Sequence, residues 1–380
     1  MSLDQLHSLP PAQQQAILNG PALAPPAGVV PNLDNPPNGN ALCLGIIAYL
    51  LILATSAFTL AAYVKLFYVK KLYLEDFLAF AGFVLHVPLV HCILSLISRF
   101  GLFVHQWNVR VKDLAGILYL VHVASELYAG VIVLLKTAIL LESVRIFVPR
   151  GTRGVFFWTC HILLWTNVVF YTVIFISANA TCKPFAKLWD KTLPGDCSDN
   201  NAFDVATASY NLVSDVFILL LPQRLIWRLH LKTKAKVGIA FIFAVGISAC
   251  VAAAYRLYAS IKYLEMADIT YGIAGIALGI EAEIVCAMLV FWVPILPKAF
   301  KDIRNLFRLL ASVFSRPKDS TGTASINSRP DFSGQVESGL PHPQRVYVPK
   351  MSTLRTTQIS INGECDYESI PQHLEDARRY

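Results

Sequence analysis

Seven apolar stretches, at 42–64, 75–97, 114–141, 155–177, 204–226, 237–259 and 273–297, divide this chain of 380 residues. Each is long enough, at about 20 residues or more, to carry a helix across the hydrocarbon of a bilayer. In that medium a backbone must satisfy its own amides, so such a segment becomes a helix and seven of them become a bundle. Composition agrees. The chain is 55% hydrophobic and only 15% charged, where a soluble chain carries about a quarter charged residues. The fold class expected is an all-α membrane protein, a seven-transmembrane helix bundle spanning 42–297, with the lipid bilayer as its first partner. The net charge of +7 does not point to nucleic acid. The basic residues lie between the apolar runs rather than in one patch, as loops on one side of a membrane do.

Those loops set an expected orientation. The connections around 65–71, 145–153 and 224–236 hold eleven Lys and Arg, the alternate ones seven, and residues 1–41 none. The more basic set belongs in the cytoplasm. This places the N-terminus outside and the C-terminus inside. The first 41 residues, rich in Pro, Ala, Gln and Asn, lack the basic start and apolar run of a signal peptide and are expected to be a disordered extracellular tail. After the last span, "KAFKDIRNLFRLLASVF" repeats Phe300, Ile303, Phe307, Leu310 and Phe314 at three- and four-residue spacing with basic residues between them. The spacing predicts an amphipathic helix over 298–314 lying on the inner leaflet. Residues 315–380 then read as a disordered cytoplasmic tail.

The third span carries a lysine where hydrocarbon should be, in "LYAGVIVLLKTAILLESVRIF". A charge at that depth costs on the order of 3 kcal/mol on insertion scales. Other polar residues sit at similar depth when counted inward from the span ends: His86, Glu126, Asn167, Asp215 and Glu283. His122 and Glu126, four apart, share a face of the third helix. Intramembrane ionisable residues face the bundle interior and pair with one another. His86, Glu126, Lys136, Asp215 and Glu283 are therefore the candidate ligand-binding set, weighed against a purely structural role in fixing helix register. For Lys136 the partner expected is Asp215, although counting puts the two about two turns apart. Glu142 on the same helix competes, and the lysine has the third option of snorkelling to the inner surface.

Between the fourth and fifth spans lies "CKPFAKLWDKTLPGDC". Cys182 and Cys197 are the two cysteines in an outward-facing loop, where the redox compartment permits a disulfide; the other cysteines inside apolar runs act as small hydrophobes. Asn179-Ala180-Thr181 is a glycosylation sequon close to the bilayer. No zinc-type Cys/His spacing and no phosphate-cradling glycine loop occurs, so no metal is expected.

At this loop the chain resembles the fungal rhodopsin-domain family, the seven-helix membrane proteins that include Pth-type receptor-like proteins and SAT-type proteins of secondary-metabolite clusters. The loop pattern of that family is met by Cys182, Pro184, Trp189 and Cys197, and its acidic pair opening the second span by Glu75-Asp76. Its Lys and Arg nine apart are met by Lys136 and Arg145, and its fifth-span Asn, Asp and Pro by Asn211, Asp215 and Pro222. Arg256 matches the Arg of the sixth span, and Glu283 with Pro294 the Glu–Pro pair of the seventh. The chain departs from the pattern at Ala138, at Glu142-Ser143 and at Gly279.

Retinal is not expected despite the family's title, because a Schiff base needs a seventh-span lysine and "IAGIALGIEAEIVCAMLVFWVPILP" has none. No cofactor is expected at all. Nor does the chain carry the acidic-Arg-Tyr or Asn-Pro-x-x-Tyr motifs of animal rhodopsin-class receptors. The resemblance implies a receptor-like sensor of the plasma membrane, taking a small-molecule ligand and meeting a cytoplasmic signalling partner. The alternative is a membrane-embedded, cyclase-like enzyme of a secondary-metabolite cluster, in which neutral carboxylic acids protonate a lipid-like substrate. A transporter is the third reading; no broken-helix pair or inverted repeat supports it.

Overall fold

A computed structural model describes Leu6 and residues 9–149, 152–198, 201–226 and 233–295. The expected amphipathic helix at 298–314 and the tail at 315–380 lie outside the described residues. A short α1 (Pro11–Asn19) precedes the long helices α2 (Asn40–Tyr63), α3 (Leu74–Arg99), α4 (Val111–Phe147), α5 (Val155–Ala180), α6 (Asn201–Ile226), α7 (Thr233–Glu265) and α8 (Ile269–Trp292). Among the described residues, seven helices are long and apolar enough to cross a membrane, each within several residues of an expected span. The largest shift is in the sixth, whose apolar stretch runs over Ile242–Glu265 rather than 237–259.

The bundle is wrapped around α8. Of its most apolar window 61% is buried, against 22–39% for the other six spans. Ile284, Met288 and Phe291 of α8 pack with Ile132 and Leu135 of α4 and Leu89 and Ile93 of α3 in one core. The outward faces remain apolar, with Ile52, Trp165, Val169 and Val251 exposed, a surface that water would reject and lipid tails accept. Small residues bring helices close, as they do in membrane bundles generally. A Cβ at Gly279 of α8 would lie 3.2 Å from the Cα of Arg256 on α7. That glycine, a departure from the family pattern, seats the α7 backbone directly against α8.

The two faces of the bundle are tied differently. At one, Cys182 and Cys197 are bonded and pair as two short antiparallel strands, β1 (Cys182–Lys183) and β2 (Asp196–Cys197). Closing a loop with this sequence separation of 15 is worth about 3 kcal/mol in the chain-entropy account. Replacing either cysteine should therefore lower the folded yield. Mass spectrometry of the unreduced protein should recover the linked peptides, and alkylation of both thiols in native protein would rule the bond out.

On the same face, residues 20–40 run along the α3–α4 connection, correcting the expectation of disorder for residues 9–41. Ala22 N–H donates to Val109 O (2.8 Å) and Val111 N–H to Gly20 O (3.1 Å). Asn32 N–H reaches Asn108 Oδ1 (3.0 Å), and Leu102 N–H donates to the Asn40 side chain (2.9 Å). The polar, apolar-poor composition that suggested a free tail serves instead to hydrogen-bond a loop. Asp268, the N-cap of α8, binds the same connection through His105 Nδ1 (2.6 Å) and Gln106 N–H (2.8 Å).

At the opposite face the acidic pair opening α3 takes two cations. Lys65 lies 2.6 Å from Asp76, and Arg145 lies 2.7 Å from Glu75 with its guanidinium over the Tyr73 ring at 4.2 Å. Glu142 stands 3.5 Å from Arg145. It therefore belongs to this cluster and not to Lys136.

Candidate functional site

A helix that places a residue every 1.5 Å and 100° can aim only one face at the bundle axis. On α4, Tyr128, Leu135 and Lys136 are all buried there. Lys136 is 1% exposed, so it does not snorkel. Its Nζ lies 2.8 Å from Asp215 Oδ1 on α6, and donates to Asn211 Oδ1 (2.6 Å) and to Asn211 O (3.1 Å). The expected partner is thus reached directly, with no bridging water needed.

Asn211 is the hub. Its amide nitrogen donates to Glu283 Oε1 on α8 (2.6 Å) and to Asp215 Oδ2 one turn along (3.3 Å). Its amide oxygen accepts from Lys136 and from the Tyr171 hydroxyl of α5 (2.9 Å). Those four bonds are the full capacity of an asparagine side chain. Glu283 Oε1 also accepts from the Tyr128 hydroxyl (2.8 Å), which in turn accepts from Arg256 Nη1 of α7 (2.6 Å). Arg256 sits over the Tyr128 ring at 4.3 Å and 3.6 Å from Glu283 Oε2. Two cations, Lys136 and Arg256, thus face two carboxylates, Asp215 and Glu283. With all four charged the set is neutral, which is how buried charge is tolerated in hydrocarbon.

The other candidates stand apart from this network. His86 is on α3, and its Nε2 lies 2.9 Å from Glu281 Oε1 of α8 in a separate, fully buried pair. Asn167 accepts from Ser214 (3.2 Å). Glu126 accepts from Asn179 Nδ2 (3.1 Å), and that same nitrogen also donates to Phe175 O (2.8 Å). The nitrogen a glycan would need is therefore engaged in two hydrogen bonds. Of the five candidates, Lys136, Asp215 and Glu283 are joined through Asn211, whereas His86 and Glu126 are not. Equal counting depth does not bring side chains together when the helices bearing them present different faces.

Glu126 instead lines a cavity of ≈ 140 Å³ in the half of the bundle nearer the disulfide, bounded by α3 to α8. Its walls are mostly apolar, with Leu89, Ile93, Ile174, Ile273 and Ile280 among them. The polar exceptions are Glu126, Asp204, Ser125, Thr207, Tyr128, Arg256 and Tyr263. Tyr128 and Arg256 therefore belong both to the cavity wall and to the charge network beneath it. Above Glu126, the His122 ring meets Phe185 and Trp189 of the disulfide loop at 5.9 and 6.2 Å between centroids. Among the described residues, no group of three or more His, Cys, Asp or Glu could hold a metal ion.

Sequence reasoning missed Glu281, Asp204, Tyr128 and Tyr171. Glu281 carried a usable signal, being an acid inside a span. Asp204 lies in the first turn of α6, where charge looks like a span boundary, and tyrosines in an apolar run look like packing.

Residues 60–301 match the family described as the fungal rhodopsin domain. A protein of Gibberella zeae named "Fugralins biosynthesis cluster protein 2" is 37% identical over 297 residues, covering 77% of this chain and 74% of that one. An Emericella nidulans protein named "SAT4 family membrane protein" is 34% identical over 224 residues, 59% of this chain and 56% of its own length. No solved structure matches the chain.

Proposed function

The chain belongs to the fungal rhodopsin-domain family, and from that premise we propose that it is a receptor-like sensor of the plasma membrane that binds a small, largely apolar molecule without retinal. The observation that carries this reading is the sharing of Tyr128 and Arg256 between the cavity and the charge network. An occupant touching either residue would load a chain of hydrogen bonds running through Glu283 and Asn211 to Asp215 and Lys136. That chain links α4, α5, α6, α7 and α8, so a change at the cavity reaches helices that continue to the opposite face. Coupling between sites requires such a set of elements able to take two arrangements.

In this reading the disulfide face is outside and the opposite face, with the more basic loops, meets the cytoplasm and a signalling partner there. Protease applied to intact cells should remove an N-terminal epitope tag and spare a C-terminal one; the reverse pattern would overturn the orientation.

A second reading rests on a separate observation: two carboxyl groups, Glu126 and Asp204, line one mostly apolar cavity. If either holds its proton, it is a general acid facing an apolar substrate. A relative named for a biosynthesis cluster fits that role as well. A deletion strain compared with its parent separates the two. Unchanged metabolites with altered surface or nutrient responses support the sensor. Loss of one product with accumulation of its precursor, restored by the wild-type gene but not by Glu126→Gln or Asp204→Asn, would replace it with the enzyme.

A further inference from the structure

The ionisable groups on the cavity wall do not balance. Arg256 is its cation, and that charge is already matched by Glu283 at 3.6 Å and held by Tyr128. Glu126 has no cation in contact, and Asp204 feels only the field of the same Arg256, so one cation stands against three acids. Glu126 receives one neutral amide, from Asn179, while its second oxygen, Oε2, is buried with no hydrogen-bond partner. Asp204 is exposed on the cavity wall, and among the described residues no hydrogen bond or ion pair engages it. A buried, bare carboxyl oxygen such as Glu126 Oε2 is costly unless something supplies a donor or charge.

We infer that the cavity is built for a lipophilic amine, a small apolar body bearing one protonated nitrogen that Glu126 and Asp204 receive. The inference rests on the cavity being the binding site proposed above, and it names the chemistry of the occupant. An ammonium brings up to three donors and the missing positive charge, so it answers the bare Oε2 of Glu126 and gives Asp204 a direct donor. The remaining wall suits the rest of such a molecule. Phe175, Phe203 and Tyr263 add aromatic surface, which tolerates a cation better than aliphatic surface does. The cavity of ≈ 140 Å³ is of the size that takes a single aromatic ring. A carboxylate ligand would meet two acids, and Arg256 offers it one buried donor, Nε, on a guanidinium whose charge Glu283 already faces. A neutral alcohol would gain hydrogen bonds but leave the charge imbalance.

The test uses the purified full-length protein in lipid nanodiscs and three one-ring probes that differ only in their polar group: benzylamine, benzyl alcohol and benzoate. Binding is read from the concentration dependence of the thermal unfolding midpoint. Benzylamine should bind about tenfold more tightly than benzyl alcohol, the difference a charge-assisted bond makes. Glu126→Gln should remove that advantage while leaving benzyl alcohol binding in place; Asp204→Asn serves the same purpose if the first variant does not fold. Equal binding of benzylamine and benzyl alcohol, or an amine advantage that survives both substitutions, would overturn the amine and leave the cavity as a site. Benzoate binding best would overturn it in favour of Arg256 as the anchor. No binding by any of the three would overturn both the amine and the cavity reading.

Discussion

Lys136→Ala should collapse the folded yield of this protein, and adding Asp215→Asn should restore part of it. The lysine is fully buried, its nitrogen within 2.8 Å of Asp215 and 2.6 Å of the Asn211 oxygen. Removing one member of a buried pair leaves its partner charged and unmatched, which costs about 3–5 kcal/mol. That is a large part of the 5–15 kcal/mol by which a typical domain is stable. Lys136→Met separates charge from volume, since it keeps most of the side chain and should still be severely destabilised. Neutralising Asp215 in the same chain removes the orphaned charge, and Asn211 Oδ1 keeps its bond from Tyr171. The measurement is the thermal midpoint and monodisperse fraction of each variant in one detergent. A fully tolerated Lys136→Met, or a double variant no better than Lys136→Ala alone, would show that the pair does not hold the bundle.

The seven helices were legible because hydropathy and length are properties of the chain alone, and lipid leaves a polar backbone one way to satisfy itself. The disulfide was legible for a similar reason: Cys182 and Cys197 share one loop outside the apolar runs. The need of Lys136 for an acid could be read as well, but not its geometry. Counting inward assumed helix ends at equal height. At 37 residues, α4 is about 55 Å long and cannot end flush with neighbours some ten residues shorter, so the apparent two-turn offset from Asp215 was an artefact of the reference. Tyr128 and Tyr171 were beyond reach for another reason. A tyrosine in an apolar run satisfies packing whichever way its hydroxyl points, and only the assembled bundle shows that both hydroxyls end on the Asn211–Glu283 pair. His86 illustrates the reverse. Its burial was expected, yet its partner Glu281 lies just two residues from Glu283, on a different face of α8, and depth alone does not distinguish faces.

Asn211 should prove as sensitive as Lys136, and the pattern of its variants tests whether charge or hydrogen bonding organises the network. Asn211→Leu removes an amide that makes four bonds. Lys136 keeps Asp215 and the Asn211 backbone oxygen (3.1 Å), and Glu283 keeps Tyr128. The Tyr171 hydroxyl, however, is left buried without its acceptor, and Glu283 loses a bond to a charged group. Each loss costs on the order of 1–3 kcal/mol, whereas Tyr171→Phe alone should cost about 1 kcal/mol. Asn211→Asp should be worse than Asn211→Leu. It turns a donor to two carboxylates into a third carboxylate, so that three anions face two cations. Pairing Asn211→Asp with Asp215→Asn moves the negative charge back one helical turn, since positions four apart share a face. Lys136 already reaches both positions, at 2.6 and 2.8 Å, and the total charge is restored. If neutrality is what stabilises this interior, the exchanged pair should unfold at a higher temperature than Asn211→Asp alone. If the exchange recovers nothing, then the two donors that Asn211 aims at Glu283 and Asp215 are indispensable, and the network is held by the direction of its hydrogen bonds rather than by its charge.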